Sequence, residues 1–221
     1  MTTLELIDKA ILERSSQEKR RTYMGASILG EECDRKLYYS YKKPFTVKDA
    51  RIQRIFDMGN IIEDYLIKLL KDAGFTVYDV DKDGKQFGFE DGEIAGHSDG
   101  VIVGVPELDS PALLEFKSAK NSRFNEFKKN DVRTVSNNYF VQTQVYMQKL
   151  KLNYCLFIVM NKDTQELYME IINYDKEIAD IYITRGKDIA RSTELPSRAY
   201  AKKTFFKCRF CDYSEECWEN D

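Results

Sequence analysis

Histidine is nearly absent from this chain: His97 stands alone among 221 residues. A centre built on two or more histidines is therefore excluded, which leaves carboxylates, or thiolates, to hold any metal. An excess of positive charge is missing too. The chain carries 34 Lys and Arg against 37 Asp and Glu, a formal net charge of −3, so it is no uniformly basic nucleic-acid binder. No apolar run approaches the length of a membrane span; the longest covers residues 154–160. The first residues mix charge with helical spacing and lack the apolar centre of a secretory leader. The expected setting is the cytoplasm, with reduced thiols and no membrane partner. There is no internal repeat and no low-complexity linker.

What is present is ample core material, with 43% hydrophobic and 13% aromatic residues. Leu4, Ile7, Ile11 and Leu12 have helical spacing, closing in the basic run Lys19, Arg20, Arg21. Ser27 is placed to cap a second helix through Tyr39, broken by Pro44. A third helix is expected over 48–72, ending at Gly74. The pattern then changes to strands at 75–80, 86–90, 93–103 and 112–118, separated by Asp, Gly and Pro turns. Helices at 122–129 and 137–150, strands at 154–161 and 166–173, and a helix at 176–191 follow. The tail from Pro196 is irregular, basic and rich in cysteine. Helices, a strand meander, a helix, two strands and a helix make an α/β (α+β) fold with a mixed sheet flanked by helices.

The informative segment runs Gly96-His97-Ser98-Asp99-Gly100 and then Leu114-Glu115-Phe116-Lys117. Strand residues two apart share a face, so Glu115 and Lys117 point one way and Leu114 and Phe116 the other. The connection through Pro106 and Asp109 is long enough to fold the second strand back and set Asp99 beside Glu115. Two adjacent carboxylates repel unless protonated or bridged by a cation. Mg²⁺ and Mn²⁺ take such oxygen ligands. A neighbouring lysine orients water and stabilises charge on phosphorus. Glu63 rides the edge of an apolar helical stripe, and Gln142 and Tyr146 share a helix face from which they can contact a phosphate or buttress the carboxylates.

The series Gly59-x-x-x-Glu63, Gly96-x-x-Asp99, Glu115-x-Lys117 and Gln142-x-x-x-Tyr146 resembles the RecB-type branch of the PD-(D/E)XK nuclease superfamily. Within it, the series is most similar to the CRISPR-associated RecB-like exonucleases and their phage relatives, over about residues 27–218. The resemblance implies a restriction-endonuclease-like core in a single nuclease domain, 1–221. That domain divides into a helical part at 1–74, a catalytic sheet core at 75–173 and a helix with a Cys-rich tail at 174–221. By motif, Asp99 and Glu115 would be metal ligands together with the Phe116 carbonyl, and Lys117 the catalytic lysine. Gln142 and Tyr146 complete the catalytic set. Glu63 stands where this branch often has a histidine ligand, Ser98 replaces the proline that names the superfamily, and His97 is expected to stand behind the ligands.

Cys208-x-x-Cys211 is followed by Cys217, and Cys33 is the candidate for a fourth thiolate; Cys155, inside an apolar strand, reads as core. Four thiolates suit zinc or an iron–sulfur cluster. The resemblance favours [4Fe–4S], stapling the N-terminal helices to the C-terminal tail.

The charge of −3 hides local excesses. Residues 198–209 hold five basic residues and no acid, among them Lys202, Lys203 and Lys207. Residues 120–133 hold five more, including Lys120, Arg123 and Lys128, against two acids. Interleaved Phe124, Phe127, Tyr200, Phe205 and Phe206 could stack unpaired bases. The expected activity is metal-dependent hydrolysis of single-stranded DNA or DNA ends, by an exonuclease. The rivals are a non-catalytic DNA-end-binding scaffold and a CRISPR-adaptation nuclease working with partner proteins, either of them able to be a homo-oligomer or a recombination component.

Overall fold

The computed structural model describes residues 1–17, 21–43 and 49–219. Lys19, Arg20, Pro44 and Lys48, used above to mark helix ends, lie outside the described residues.

Two helices open the chain: α1 (Thr3–Ser16) and α2 (Asp34–Lys42). Thr2 and Glu5 close a capping box at the start of α1, yet the helix buries no residue. Between the two, β1 (Met24–Gly25) leads into a 3₁₀ turn at Ala26–Ile28. Ser27 therefore sits in that turn and caps no long helix, and the residue before α2 is Cys33. The helix α3 (Ala50–Asp72) is capped by Asp49, whose carboxylate accepts from Arg51 N at 2.7 Å. It ends at Gly74, which takes a φ of +93°.

Among the described residues, eight strands and six further helices complete the fold. The strands are β2 (Thr76–Tyr78), β3 (Gly88–Asp91), β4 (Ile94–His97), β5 (Gly100–Val103), β6 (Ala112–Ala119), β7 (Tyr154–Asn161) and β8 (Leu167–Asn173), besides β1. The helices are α4 (Asn121–Phe127), α5 (Val132–Val135), α6 (Asn137–Leu150) and α7 (Lys176–Arg191), with one-turn α8 (Phe206–Arg209) and α9 (Ser214–Glu219) in the tail. The strand expected over 93–103 is two strands in two different sheets. One sheet has the order β1-β4-β3, and the other β2-β5-β6-β7-β8, in which only β6 and β7 run parallel. The α4–α6 segment is the crossover that a parallel β6–β7 pair requires.

Both faces of the five-stranded sheet are covered. Ala112, Leu114, Phe116, Leu156 and Ile158 pack toward Leu66, Ile67 and Leu70 of α3. Leu113, Cys155, Phe157 and Val159 pack toward Val141, Val145 and Met147 of α6. This is why β7 reads as one continuous apolar run. It is also why Glu115, on the face that a half-exposed sheet would leave wet, is buried. No helix among the described residues is long and apolar enough to cross a membrane.

The α6 helix is fixed to the sheet by a polar tie. Buried Gln144 donates to Asn173 O at 3.0 Å and accepts from Asp175 N at 2.7 Å, the residue that caps α7. Gln144→Leu is expected to cost about 1–3 kcal/mol in urea unfolding, because it removes both of these part-buried hydrogen bonds at once.

Candidate active site

The register of β6 sets the site. The strand β5 pairs with β6 only at 112–114, so from Glu115 onward that edge of β6 carries no strand. Asp99 fills the start of the gap: its Oδ2 accepts from Phe116 N at 2.6 Å. In an extended strand the N–H and C=O of one residue point to the same edge, so the Phe116 carbonyl faces the gap as well.

Asp99 lies between β4 and β5, where the chain passes from one sheet to the other, and Gly100 makes that passage possible. Its φ is +143°, and a Cβ there would stand 2.8 Å from Tyr78 O. A second close approach is at Gly96, where a Cβ would lie 2.6 Å from the Tyr146 hydroxyl. Without that Cβ, Tyr146 reaches from α6 to the end of β4 and donates to His97 O at 2.7 Å. The tyrosine thus braces the segment leading to Asp99. The His97 side chain is exposed, and its contribution to this brace is its backbone carbonyl.

Glu115 has no solvent exposure. Its Oε1 accepts from Lys117 Nζ and, at 2.8 Å, from Gln142 Nε2. Its Oε2 is buried and has no hydrogen-bond partner, and neither has Gln142 Oε1. Burial pushes the Glu115 carboxyl up to about 8; Lys117 opposes the rise, while Asp99 and Glu63 add to it. Asp99 is raised by burial against the pull of Lys117 and of the Phe116 N–H. Glu63 of α3, half-buried with Gln86 Nε2 3.3 Å from its Oε1, is raised to about 7 by burial and by Asp99 and Asp64. Lys117 is held above its ordinary range, despite burial, by Glu115 and Asp99. The sequence motifs therefore converge: Glu63, Asp99, Glu115, Lys117 and Gln142 form one electrostatic cluster braced by Tyr146.

Sequence reading missed one member. Tyr139 places its ring 5.0 Å from Lys117 Nζ and is itself packed on Phe157, centroid to centroid 6.1 Å. The signal was available, because Tyr139, Gln142 and Tyr146 lie at i, i+3 and i+7 on one face of α6.

A buried carboxylate oxygen without a partner, with two further raised carboxyls beside it, is a donor set suited to a hard divalent cation. Among the described residues, no three His, Cys, Asp or Glu side chains stand at ligating separation. In this arrangement Lys117 supplies the positive charge that Glu115 requires.

Elsewhere, Cys33, Cys208, Cys211 and Cys217 line one cavity of about 660 Å³. Burial and the neighbouring Cys33 and Cys217 raise the Cys208 thiol. Cys155 is buried in β7, as its sequence context implies. The tail is tied down by Arg35, which donates to Pro196 O and Cys217 O, and by Arg198, which donates to Cys217 O.

The basic segments depart from expectation in their aromatics. Phe124 and Phe127 are core residues, 0% and 2% exposed, because α4 turns that helical stripe inward; they cannot stack on bases. Tyr200, Phe205 and Phe206 do form an outer group, with centroid spacings of 4.4 and 4.8 Å. Lys120 and Lys202 are exposed. Arg123 is paired with Glu126, Lys128 with Glu166, Lys203 with Glu215 and Lys207 with Glu32. Such surface pairs are weak enough for a phosphate to displace.

No protein-family model and no curated protein matches the chain. Solved structures do. The protein SSO0001 superposes with a TM-score of 0.54 at 17% identity, covering 98% of this chain and 96% of that one. An alkaline exonuclease from Laribacter hongkongensis, LHK-Exo, gives 0.51 at 16% identity, with 84% and 90% covered. A phage-related exonuclease from Haemophilus somnus 129PT gives 0.51 at 15%, with 78% and 93% covered. Likeness at these identities shows the fold, which is the nuclease fold of the two exonucleases.

The raised carboxyl has a stability consequence. Glu115 sits at about 8 in the folded chain against an ordinary 4.5, so the folded state holds the extra proton between those values. Its contribution to stability therefore falls as pH rises through that window. In protein stripped of divalent cations, moving from about pH 5 to about pH 8.5 is expected to shift the stability difference in favour of Glu115→Gln by about 2 kcal/mol or more. Parallel urea titrations of the two proteins at both pH values check this.

Proposed function

We propose that the chain is a metal-dependent DNA nuclease, an exonuclease of the RecB-type PD-(D/E)XK branch acting on single strands or duplex ends. The observation that carries the reading is the clustering of Glu63, Asp99, Glu115 and Lys117 at the open edge of β6, with Glu115 Oε2 buried and unpaired. The exonuclease fold supports it. Asp99, Glu115, Glu63 and the Phe116 carbonyl would hold Mg²⁺ or Mn²⁺. Bound there, the ion supplies Lewis-acid polarisation of the phosphodiester and makes adjacent water more acidic.

The chain's own residues do the rest. Lys117, kept ionised by its two carboxylate neighbours, donates and neutralises charge accumulating on phosphate oxygens; it does not accept a proton. The Tyr139 ring, 5.0 Å from Lys117 Nζ, would keep the ammonium in contact if Glu115 held a cation. Gln142 holds Glu115 through its amide N–H, and its free carbonyl oxygen can accept from a water entering the site. Tyr146 fixes the Asp99 segment.

The four cysteines gathered around one cavity are read as ligands of a [4Fe–4S] cluster, with Zn²⁺ as the alternative, joining α2 to the tail. A brown anaerobic preparation with a sulfide-to-iron absorption band supports the cluster, and colourless protein with stoichiometric zinc overturns it. The kinship to CRISPR-associated and phage nucleases rests on the motif series.

With Mg²⁺ or Mn²⁺, end-labelled linear single strands should be degraded while circular strands persist. Lys117→Ala and Glu115→Ala should each lower the rate by about a hundredfold or more with the fold intact by circular dichroism. Undiminished cleavage by both variants would sink the assignment, and equal cleavage of circles would replace exonuclease with endonuclease.

A further inference from the structure

The helix α3 packs on the sheet by a stripe that includes Leu66 and Leu70, 2% and 8% exposed. Gly59 lies on the same stripe, seven and eleven residues before them. Yet among the described residues no heavy atom comes within 4 Å of the position a Cβ would take there. Among the described residues, the inward face of α3 thus runs past the sheet and meets no neighbour at Gly59. Glycine is a poor helix former, and here, near the middle of a 23-residue helix, an alanine would fit without contact. Packing among the described residues gives no reason for it.

Ile55, Met58 and Ile62, which flank Gly59 on α3, line a groove of about 380 Å³. Its apolar wall includes Ile55 and Ile62 of α3 and Met160 of β7; its cations are Arg51, Arg54 and Lys162, and no carboxylate lines it among the described residues. Arg54 is paired with Asp8 of α1. Lys162 donates its backbone N–H to Ala119 O, the last residue of β6. Lys162 thus ties one wall of the groove to the end of β6, the strand that carries Glu115 and Lys117. Glu63 follows Ile62, a lining residue of the groove, by one position along α3.

We propose that this groove seats one strand of the nucleic-acid substrate: its phosphates lie against Arg51 and Lys162, and its sugar and base edges against the apolar wall. Gly59 is the point where the strand passes closest to α3 on its way to the carboxylates. The proposal rests on the nuclease reading and deepens it by assigning the strand's path. Cations without acids select a polyanion, and the apolar wall suits unpaired bases more than a closed duplex. Missing bulk at Gly59 is then a requirement of the ligand and not of the fold.

The substitution Gly59→Ala separates those two alternatives. It is expected to raise Tm by about 2 °C while weakening binding of a short fluorescein-labelled single-stranded DNA roughly tenfold. Binding is read by anisotropy in EDTA, where cleavage is silent. Arg51→Ala with Lys162→Ala should weaken binding as well and reduce the slope of log affinity against log salt by about 1.4. Unchanged affinity in both variants overturns the proposal. A lower Tm for Gly59→Ala overturns it too, by giving the glycine a structural reason. Such failures leave the Lys117→Ala cleavage test standing. A protein that binds DNA through the groove but cuts none under Mg²⁺ or Mn²⁺ defeats the nuclease reading alone.

Discussion

A carboxylate in the middle of a strand buried on both faces must have positive charge or hydrogen-bond donors beside it, and the surroundings of Glu115 are arranged around that requirement. Lys117 reaches it from two residues along β6, and Gln142 from the helix above. Asp99 adds a second negative charge, held by the N–H of the residue between them. The sum is not neutral. Glu63, Asp99 and Glu115 face one Lys117; burial raises all three carboxyls, repulsion from neighbouring carboxylates adds to the rise at Glu63 and Glu115, and one Glu115 oxygen is left unpaired. Retaining such a cluster costs stability. Recruiting a divalent cation would offset that cost and give it a use.

The fold delivers the acids from separate places. Glu115 and Lys117 come from the central strand, Asp99 from the switch between two sheets, Glu63 from α3 and Gln142 from α6. Each is positioned by a packing feature of its own: the half-length β5, the φ of Gly100, the apolar stripe of α3, and the Gln144 tie of α6. The site is therefore sensitive to core changes far from the chemistry. The overall charge of −3 conceals this arrangement. Much of the acidity is dispersed in surface pairs, while three acids are concentrated beneath one lysine.

Long, uniformly patterned segments were legible in the sequence. The elements at Asn137–Leu150, Tyr154–Asn161 and Lys176–Arg191 stand where their periodicity places them. The meeting of Asp99 and Glu115 was also legible from strand spacing and the length of the connection between them, whereas Glu63 was joined to them only by the motif series. Less could be read where tertiary contacts override the local pattern. The run 93–103 has apolar residues on either side of a short polar Gly96–Gly100 segment, and that break reads equally well as a strand interior carrying a site and as a change of sheet at Ser98-Asp99. The helix expected from Ser27 gives way to a turn because Gly30 packs against the backbone of Asn138, a contact more than a hundred residues away in sequence. Phe124 and Phe127 looked available for stacking only because a short helix does not reveal which stripe is covered. Tyr139 was overlooked because the interest of its ring lies in what stands 5.0 Å from it.

The account stands or falls on whether these carboxylates take a hard cation in exchange for protons. Calorimetric titration of Mn²⁺ into metal-free protein near pH 7, repeated in two buffers of different ionisation enthalpy, measures that exchange directly. With Glu115 at about 8 and Glu63 at about 7, binding should release about one proton or more per ion and should strengthen as pH rises. An absence of binding, or binding without proton release, would contradict the account.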